Sequence, residues 1–463
     1  MIRHPGRRGT EAQGTRSREG EAGHNVLLEG KMGDTPRSPT ISTRLQQIAQ
    51  QASDHPTMVF TTLAHRIDGA FLREAYRRVR KDAAPGVDAV TAEDYAQALE
   101  ANLQSLHERL RSGGYKAPPG KRLWLEKADG SRRPIGIPAF EDKIVQRAVA
   151  MLMGAVYEED FYGFSYGFRP GRNAHDALKA LRAHCRTGQI GWIIDADVGS
   201  YFDTIEHGVL QAMIQERIND GGLLRLIGKW LKAGIFEAGA ITRAKAGTPQ
   251  GGVASPLLAN IYLHHVLDTW YERQIRPRLR GRSFLIRFAD DFIIGCELEE
   301  DARRVLAVLP KRFARFGLRI HAEKTRLLPF GKPRRGERPG TFDFLGFTHY
   351  WGRSRQGRWI VKRKTSRKRL QRTLKQYWQW CRDHRHLRFK EQHRKLSRKL
   401  RGYYQYYGIR GNYKMLEVLY EGVERAWRYW LSRRGGKRGM SWERYERLRD
   451  LFPLPVPRIV HQV

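Results

Sequence analysis

Apolar residues are spaced in two ways along this chain, one typical of short strands and the other typical of helices. The segments GWIIDADV and SFLIRFADDFIIGC are short apolar runs around acidic positions, and they predict a strand and a strand–turn–strand unit. From Tyr95 to Leu110, apolar residues recur every three or four positions, and Thr91 with Asp94 forms a capping box before them. Alternation of such helices and strands predicts an α+β fold.

Further elements extend this pattern on both sides. TRLQQIAQQA predicts a helix. FLREAYRRVRKDAAPGVDAV predicts a basic helix that ends at Pro85-Gly86. RLWLEK and PIGIP predict the two strands of a hairpin that turns at Asp129-Gly130. NAHDALKALRAHC predicts a helix capped by Asn173, and SPLLANIYLHHVLDTWYERQI one long helix. FDFLGFTHYW predicts a strand, and beyond about Lys364 the pattern is helical, basic and aromatic.

Charge indicates the kind of partner. The 463 residues include 85 Lys and Arg against 48 Asp and Glu, a net charge of +37. Residues 351–463 alone carry 32 Lys and Arg against 8 Asp and Glu, a net charge of +24. A polyanion is therefore the expected partner, with nucleic acid first and an acidic membrane surface second.

Apolar runs and cysteines in the sequence argue against a membrane-spanning, secreted or disulfide-bonded protein. We find no apolar run of 18 residues and no secretory signal, and the cysteines Cys185, Cys296 and Cys381 form neither a zinc motif nor a disulfide framework. We expect a protein of the bacterial cytoplasm or nucleoid, without a membrane partner. Residues 1–40 are polar and lack apolar periodicity, which predicts a disordered tail.

Two pairs of carboxylates at predicted strand ends are the candidate chemistry. Asp195 and Asp197 end one strand, and Asp290 and Asp291 lie between two others. Carboxylates beside buried strands need a partner charge, and two oxygen-ligated divalent ions would supply it, with magnesium favoured. Asp is also common in solvated turns, so Asp290-Asp291, taken alone, is better explained as a solvated hairpin tip.

Other segments favour the metal interpretation. Gly247, Gly251 and Gly252 allow close backbone approach around Gln250. Upstream, a predicted turn is flanked by Lys127, Arg132 and Arg133, which could bind a triphosphate there. A basic hairpin that only faces solvent would have the same sequence pattern.

From about residue 40 to the end, the chain resembles the reverse transcriptases encoded by group II introns, the intron maturases. The motifs that carry the resemblance occur in the family's order: APGVDAVT, SRRPIGIPAFEDKIVQRAV, SYGFRPGRNAHDAL, DVGSYFDTI, GTPQGGVASPLLANIYL, RFADDF, LRIHAEKTRLL and FDFLGFTHY. The resemblance implies a right-hand polymerase fold, with fingers, a palm built on an antiparallel sheet, and a helical thumb and domain X. It implies an N-terminal extension and fingers at 41–190, the palm at 191–350, and thumb and domain X at 351–463.

The resemblance also implies a site. Asp197 and Asp290 would bind two catalytic magnesium ions, Asp291 would complete the cluster, and Val198 would add a backbone carbonyl; Asp195 becomes a neighbour. Phe202 would exclude a ribose 2′-hydroxyl. The residues implied to contact the incoming dNTP are Lys127, Arg133, Phe202 and Gln250.

The basic C-terminal region would grip the intron RNA and promote its splicing. The cations expected to bind RNA are Lys362, Arg363, Lys364, Arg367, Lys368 and Arg369. Beside them, Tyr403, Tyr404 and Tyr407 are candidates for base stacking or for helix core. Because the chain ends shortly after domain X, we expect a type without an endonuclease, primed from a nascent DNA strand or from a site nicked by other means.

The resulting hypothesis is an RNA-directed DNA polymerase and maturase that works with intron RNA, an RNA template, a DNA primer or target, and dNTPs. Two alternatives remain at this level. One is a domesticated reverse transcriptase in host defence or spacer acquisition. The other is an RNA-folding factor with a vestigial site, against which the intact carboxylates argue.

Overall fold

The elements come from a computed structural model, which describes residues 40–126, 132–186, 189–237, 240–242, 247, 251–333, 340–434 and 441–462. Ile41–Val463 cluster as one unit. The predicted N-terminal tail lies outside the described residues. The boundaries expected at 190 and 350 stay predictions.

The secondary structure follows the predicted order of elements. Before the central sheet lie α1 (Ile41–Asp54), α2 (Gly69–Arg78), α3 (Ala92–Ala96), α4 (Leu99–Arg111), β1 (Gly120–Glu126), β2 (Arg132–Ile137), α5 (Phe140–Asp160) and α6 (Ala174–Arg186). Next come β3 (Trp192–Ala196), β4 (Val198–Gly199), α7 (Tyr201–Thr204), α8 (His207–Gln215), α9 (Gly221–Lys232), β5 (Ile235–Glu237), β6 (Ala240–Thr242) and α10 (Ser255–Leu263).

The second half adds the remaining strands and the C-terminal helices. These are β7 (Ser283–Phe288), β8 (Asp291–Cys296), α11 (Glu299–Ala314), β9 (Arg319–Ile320), β10 (Arg326–Pro329), β11 (Phe342–Phe344), β12 (Phe347–Arg353), β13 (Trp359–Thr365), α12 (Arg367–Asp383), α13 (Phe389–Tyr407), α14 (Tyr413–Leu431) and α15 (Trp442–Leu451).

The central sheet has the strand order β10-β3-β8-β7, and each neighbouring pair is antiparallel. Its residues alternate between two hydrophobic cores. Phe292 and Ile294 of β8 face the core shared with α5 and α10, while Ile293 faces the core shared with the C-terminal helices. Burial on both faces explains why these strands are apolar throughout. The expected α+β fold with an antiparallel palm sheet and a helical C-terminal region is confirmed.

Three smaller sheets surround this one. β1 and β2 form the predicted basic hairpin, which continues through β5 to β6, and β4 pairs with β9. β11, β12 and β13 form an antiparallel sheet that leads into α12. The turn at Asp129-Gly130 lies outside the described residues.

Predicted helix starts are confirmed, but some helix lengths are not. Thr91 and Asp94 form a capping box at α3, and Asn173 Oδ1 accepts from the backbone of Asp176 in α6. The helix expected from Tyr95 onward is two helices, because Ala98 leaves the helical region with φ −127° and ψ 43°. Similarly, α2 ends at Arg78, seven residues before the expected proline.

The helix expected from SPLLANIYL onward is also interrupted. After α10, the turns at His264–Asp268 and Tyr271–Ile275 are π-helical. Wider turns of this kind change which residues face the core, and they occur often near functional sites. His264 packs between the rings of Phe161 and Tyr162.

Candidate active site

The acidic residues meet at one end of the central sheet. Antiparallel pairing sets Ala196 opposite Phe292, so Asp197, which follows Ala196, emerges beside Asp291, which precedes Phe292. On the other side, Phe288 pairs with Asp291 and leaves a two-residue turn that contains Asp290. The register of three strands therefore brings together carboxylates that are more than 90 residues apart in sequence.

The turn between β7 and β8 has an unusual backbone. Ala289 has φ +59°, in the left-handed region that residues with a side chain seldom adopt, and such strain persists only where the surroundings enforce it. Gly167 packs against this turn so closely that a Cβ there would lie 2.3 Å from the Ala289 nitrogen. From the other side, Arg287 Nη1 donates to the Ala289 carbonyl at 3.1 Å.

Arg287 belongs to a buried polar network that the sequence did not reveal. It is paired with Asp268 at 2.5 Å, and neither side chain is exposed. Nη1 also donates to Asn260 Oδ1 at 2.8 Å, and Asn260 in turn donates to the Gly167 carbonyl. Because an ion pair removed from water needs these additional hydrogen bonds, the network fixes the backbone around Ala289. An arginine in an apolar strand was the only available signal.

The carboxylates strongly influence one another. Burial raises the pKa of Asp291 to about 7, and the charges of Asp195, Asp290 and Asp197 add to that rise. Burial also raises the pKa of Asp290, while Arg133 opposes the change. Both carboxyl groups are therefore harder to ionise than a carboxyl group in water, and a cation bound beside them would favour their charged forms.

Two cations contact the first acidic pair. Asp195 lies opposite Arg326 across the sheet and accepts a hydrogen bond from its Nη2 at 2.9 Å. Asp197 has a more exposed side chain, with Lys324 Nζ 3.1 Å from its Oδ2. Asp195 is thus paired with an arginine inside the sheet. Asp197 is paired with the flexible ammonium group of Lys324 at the exposed end of the sheet.

The donor set fits hard divalent cations, since the four clustered acidic groups present only oxygen. Among the residues that the structure describes, no three acidic, histidine or cysteine side chains stand close enough together to enclose an ion as they are. Asp197 faces Lys324 instead. A bound cation would take the place of this ammonium group as the counter-charge of Asp197.

Phe202 lies beside the acidic cluster. It is on α7, which begins after Ser200 with φ +46°, and its ring is 9% exposed. The guanidinium carbon of Arg133, from β2, lies 6.0 Å from the centre of this ring. Because Arg133 also lowers the pKa of Asp290, the structure brings three predicted site residues together.

The glycine-rich segment packs against the basic hairpin. Gly251 has φ +110°, and a Cβ on it would lie 2.8 Å from the Gly136 oxygen in β2, so only glycine fits there. Gly247, with φ +101°, bonds the backbone of Ile205 just after α7. Lys127 and Gln250 lie outside the described residues.

A second buried network holds the end of this segment. Gln146 Oε1 accepts from the backbone of Val253 at 2.7 Å and of Ala254 at 3.3 Å. Its amide group donates to Asp142, which also accepts from the hydroxyl of Tyr115. Burial raises the pKa of Asp142 to about 6, against the effect of both hydrogen bonds.

The predicted RNA-binding cations differ in exposure. Lys364, Arg367, Lys368 and Arg369 are exposed. Lys362 is half-buried, and Arg363 is only 3% exposed. Of the tyrosines, Tyr404 and Tyr407 are core residues, whereas Tyr403 is half-buried.

Comparison with known proteins identifies the chain. Residues 125–349 match the family model described as "Reverse transcriptase (RNA-dependent DNA polymerase)". Protein YkfC of Escherichia coli K12 is 33% identical over 327 residues, which cover 62% of this chain and 84% of YkfC. This chain belongs to the reverse transcriptase family.

Two further relatives of this reverse transcriptase are named after introns. The group II intron-encoded protein LtrA of Lactococcus lactis subsp. cremoris is 33% identical over 286 residues, 59% of this chain and 47% of LtrA. The mitochondrial nuclear intron maturase 1 of Arabidopsis thaliana is 28% identical over 155 residues, 30% of this chain and 22% of that protein.

The predicted resemblance and RNA-directed DNA polymerase activity are confirmed. The match spans about half the length of LtrA. Within the described parts of this reverse transcriptase, no helix is both long and apolar enough to cross a membrane.

Proposed function

We propose that the reverse transcriptase extends a DNA primer on an RNA template at the end of the central sheet, with Asp197 and Asp290 as ligands of two magnesium ions. Asp291 completes the acidic cluster and Val198 contributes its backbone carbonyl. The observation that carries the proposal is the meeting of Asp197, Asp290 and Asp291 at one sheet end, beside Arg133 and Phe202.

The reaction is attack of the primer 3′-hydroxyl oxygen on the α-phosphorus of a dNTP. A P–O bond to the primer forms while the hydroxyl proton passes to solvent water. The bond from the α-phosphorus to the oxygen that bridges it to the β-phosphate breaks, and pyrophosphate leaves with that bond's electrons. When bound, the ions neutralise charge on the attacking and leaving oxygens. The acidic cluster holds the positive charge at the sheet end, and Arg133 orients the triphosphate from the hairpin.

Phe202 selects deoxyribonucleotides over ribonucleotides. Its ring is held by α7 and by contact with Tyr201 at 5.3 Å, so it cannot easily withdraw. A 2′-hydroxyl on the incoming nucleotide would meet this ring. The roles of Lys127 and Gln250 on the same nucleotide remain predictions.

A cavity next to the acidic cluster is the proposed binding site of the primer 3′ end. It has a volume of about 500 Å³ and lies between the Leu345-Gly346 turn and helices α12 and α13. The Leu345 backbone hydrogen-bonds Asp291, and Arg369 and Lys399 line the opposite wall. Cations and tyrosine rings suit a nucleic-acid strand.

The C-terminal helices are the proposed maturase surface. The exposed cations Lys364, Arg367 and Lys368 lie at the start of α12 or just before it, where they can neutralise phosphates of a structured intron RNA. LtrA is named as group II intron-encoded and the Arabidopsis protein as an intron maturase, which supports intron RNA as the partner of this chain.

The proposal is tested by extension of a DNA oligonucleotide on an RNA template with dNTPs and magnesium. Asp197→Asn should lose extension, whereas Asp195→Asn, two residues earlier and within β3, should keep a substantial part because Arg326 already pairs Asp195. Equal loss in both variants would reject the assignment of Asp197. No extension by the wild-type protein would reject the function.

A further inference from the structure

A second cavity, of about 560 Å³, has five cations among the eleven residues that line it. It lies between α6, the β12–β13 hairpin and the segment after α13. The cations lining it are Arg182, Arg355, Lys362, Arg363 and Arg410. The described residues that line it include no carboxylate, and the remaining polar groups come from Tyr350, Ser354 and Gln356.

These cations come from distant parts of the chain. Arg182 is on α6, more than 170 residues before Arg355 in the turn between β12 and β13. Arg410 follows α13. Only the tertiary structure gathers them, so a run of basic residues in the sequence does not explain the cluster.

The fold holds part of the cluster in place. Arg363 is 3% exposed, and its Nη1 donates to the Leu178 carbonyl at 3.2 Å. The stem of Lys362 lies across Gly352, where an added Cβ would be 2.9 Å from Lys362 Cδ. The walls of the cavity are therefore built into the sheet.

Like charges gathered in a concave site repel one another. Burial lowers the pKa of Arg363 to about 10, and the charge of Arg182 lowers it further. A cleft lined by one sign of charge attracts a counter-ion of the opposite sign and raises its local concentration. Guanidinium groups are well suited to phosphate, because their planar donors match two phosphate oxygens at once.

We propose that this cavity binds a phosphodiester group of RNA, as an anchor separate from the catalytic site. The inference rests on the proposed function, since it assumes an RNA-binding polymerase. From Phe347, close to the Leu345-Gly346 turn, β12 runs three residues to Tyr350 in the cavity wall, or about 10 Å at the rise of a strand. The anchor therefore grips RNA away from the reacting phosphate. Tyr350, half-buried in the wall, is placed to contact a sugar or base.

The test measures how RNA affinity depends on salt. Arg182→Gln, Arg355→Gln and Arg410→Gln are combined, and binding is measured to a 20-nucleotide oligo(U) and to an RNA–DNA hybrid of equal length. The slope of log affinity against log salt should decrease in magnitude by about 0.7 for each phosphate released on single-stranded RNA. A decrease on oligo(U) indicates single-stranded RNA as the ligand, and a decrease on the hybrid alone indicates the copied duplex.

A matched control removes the same charge elsewhere. Arg304, Lys311 and Arg315 are exposed on or next to α11, and their combined change to Gln should leave the slope at the wild-type value. If the triple cavity variant fails to fold, Arg355→Gln with Arg410→Gln, both exposed, gives the same comparison. Slopes equal to the control on both probes would overturn the anchor.

Failure of the anchor and failure of the proposed function are distinguishable. Wild-type extension on an RNA template tests the function alone, whatever the cavity does. If the wild-type protein extends the primer and the slopes match the control, only the anchor is wrong.

Discussion

At the scale of single residues, two aspartates differ because of what lies next to them, one within β3 and the other just past its end. Asp195 is opposite Arg326 within the sheet, and Asp197 emerges at its end beside Asp291. Both were predicted from sequence as acidic candidates, and spacing alone left the choice open. Their surroundings give a physical reason to favour Asp197 as the ligand.

Phe202 should determine the choice between deoxyribonucleotides and ribonucleotides. Phe202→Ala removes the ring that a 2′-hydroxyl would meet, so the preference for dNTPs in kcat/KM should fall by about tenfold or more, equivalent to about 1.4 kcal/mol. Phe202→Tyr keeps the bulk and should keep the preference. Unchanged discrimination in Phe202→Ala, measured by single-nucleotide extension, would contradict the role.

At the scale of elements, the sequence predicted best those segments whose local pattern decides their structure. β3, β7 and β8 were predicted because both faces are buried and the runs are apolar. The π-helical turns after α10 were not, because SPLLANIYLHHVLDTWYERQI carries an ordinary helical pattern. The Arg287–Asp268 pair depends on the meeting of two elements, which no local pattern reveals.

Arg287 should act on the turn that holds Asp290 as well as on stability. Arg287→Met leaves Asp268 buried and unpaired, and we expect it to lower the free energy of unfolding by about 3–5 kcal/mol. Adding Asp268→Leu removes the stranded charge and should restore most of that stability. The double variant still lacks the hydrogen bond to the Ala289 carbonyl, so primer extension should stay at least about tenfold slow, about 1.4 kcal/mol in barrier.

Measurements of stability and of primer extension distinguish the effect of Arg287 on the turn that holds Asp290 from its effect on folding. Stability is followed by urea unfolding, and extension is followed at saturating primer–template and dNTP. A double variant that regains both stability and wild-type extension would show that Arg287 serves folding alone.

Asp142 should make stability depend on pH. Its folded pKa of about 6 exceeds the usual value of 3.8, so its protonated form stabilises the fold below pH 4, and this contribution is lost as pH rises to about 6. Relative to Asp142→Asn, the free energy of unfolding of the wild type should fall by about 3 kcal/mol over that range and then stay level. A difference that is constant from pH 4 to 8 in urea unfolding would contradict the raised pKa.

At the scale of the whole molecule, most of the net positive charge and the acidic cluster lie in different parts of the chain. Residues 351–463 carry much of the net charge of +37, whereas the acidic cluster lies at the end of a sheet between two cores. The sequence predicted this division from composition and motifs. It could not predict the cationic cavity, because Arg182 and Arg410 approach each other only when α6 and the end of α13 pack around the β12–β13 hairpin.

Family membership narrows the alternatives. Similarity to the group II intron-encoded protein LtrA supports the intron hypothesis over a domesticated reverse transcriptase. A vestigial site is disfavoured because Asp197, Asp290 and Asp291 remain together beside Arg133 and Phe202. What remains is to show that this cluster performs the chemistry.

The most direct measurement compares Asp290→Asn with the wild type in two assays on the same RNA. Removing one negative charge at the centre of the cluster should slow RNA-templated primer extension by at least about a hundredfold in magnesium. Affinity for the RNA template should remain near the wild-type value, because the basic C-terminal surface is untouched. Undiminished extension by Asp290→Asn would contradict the site.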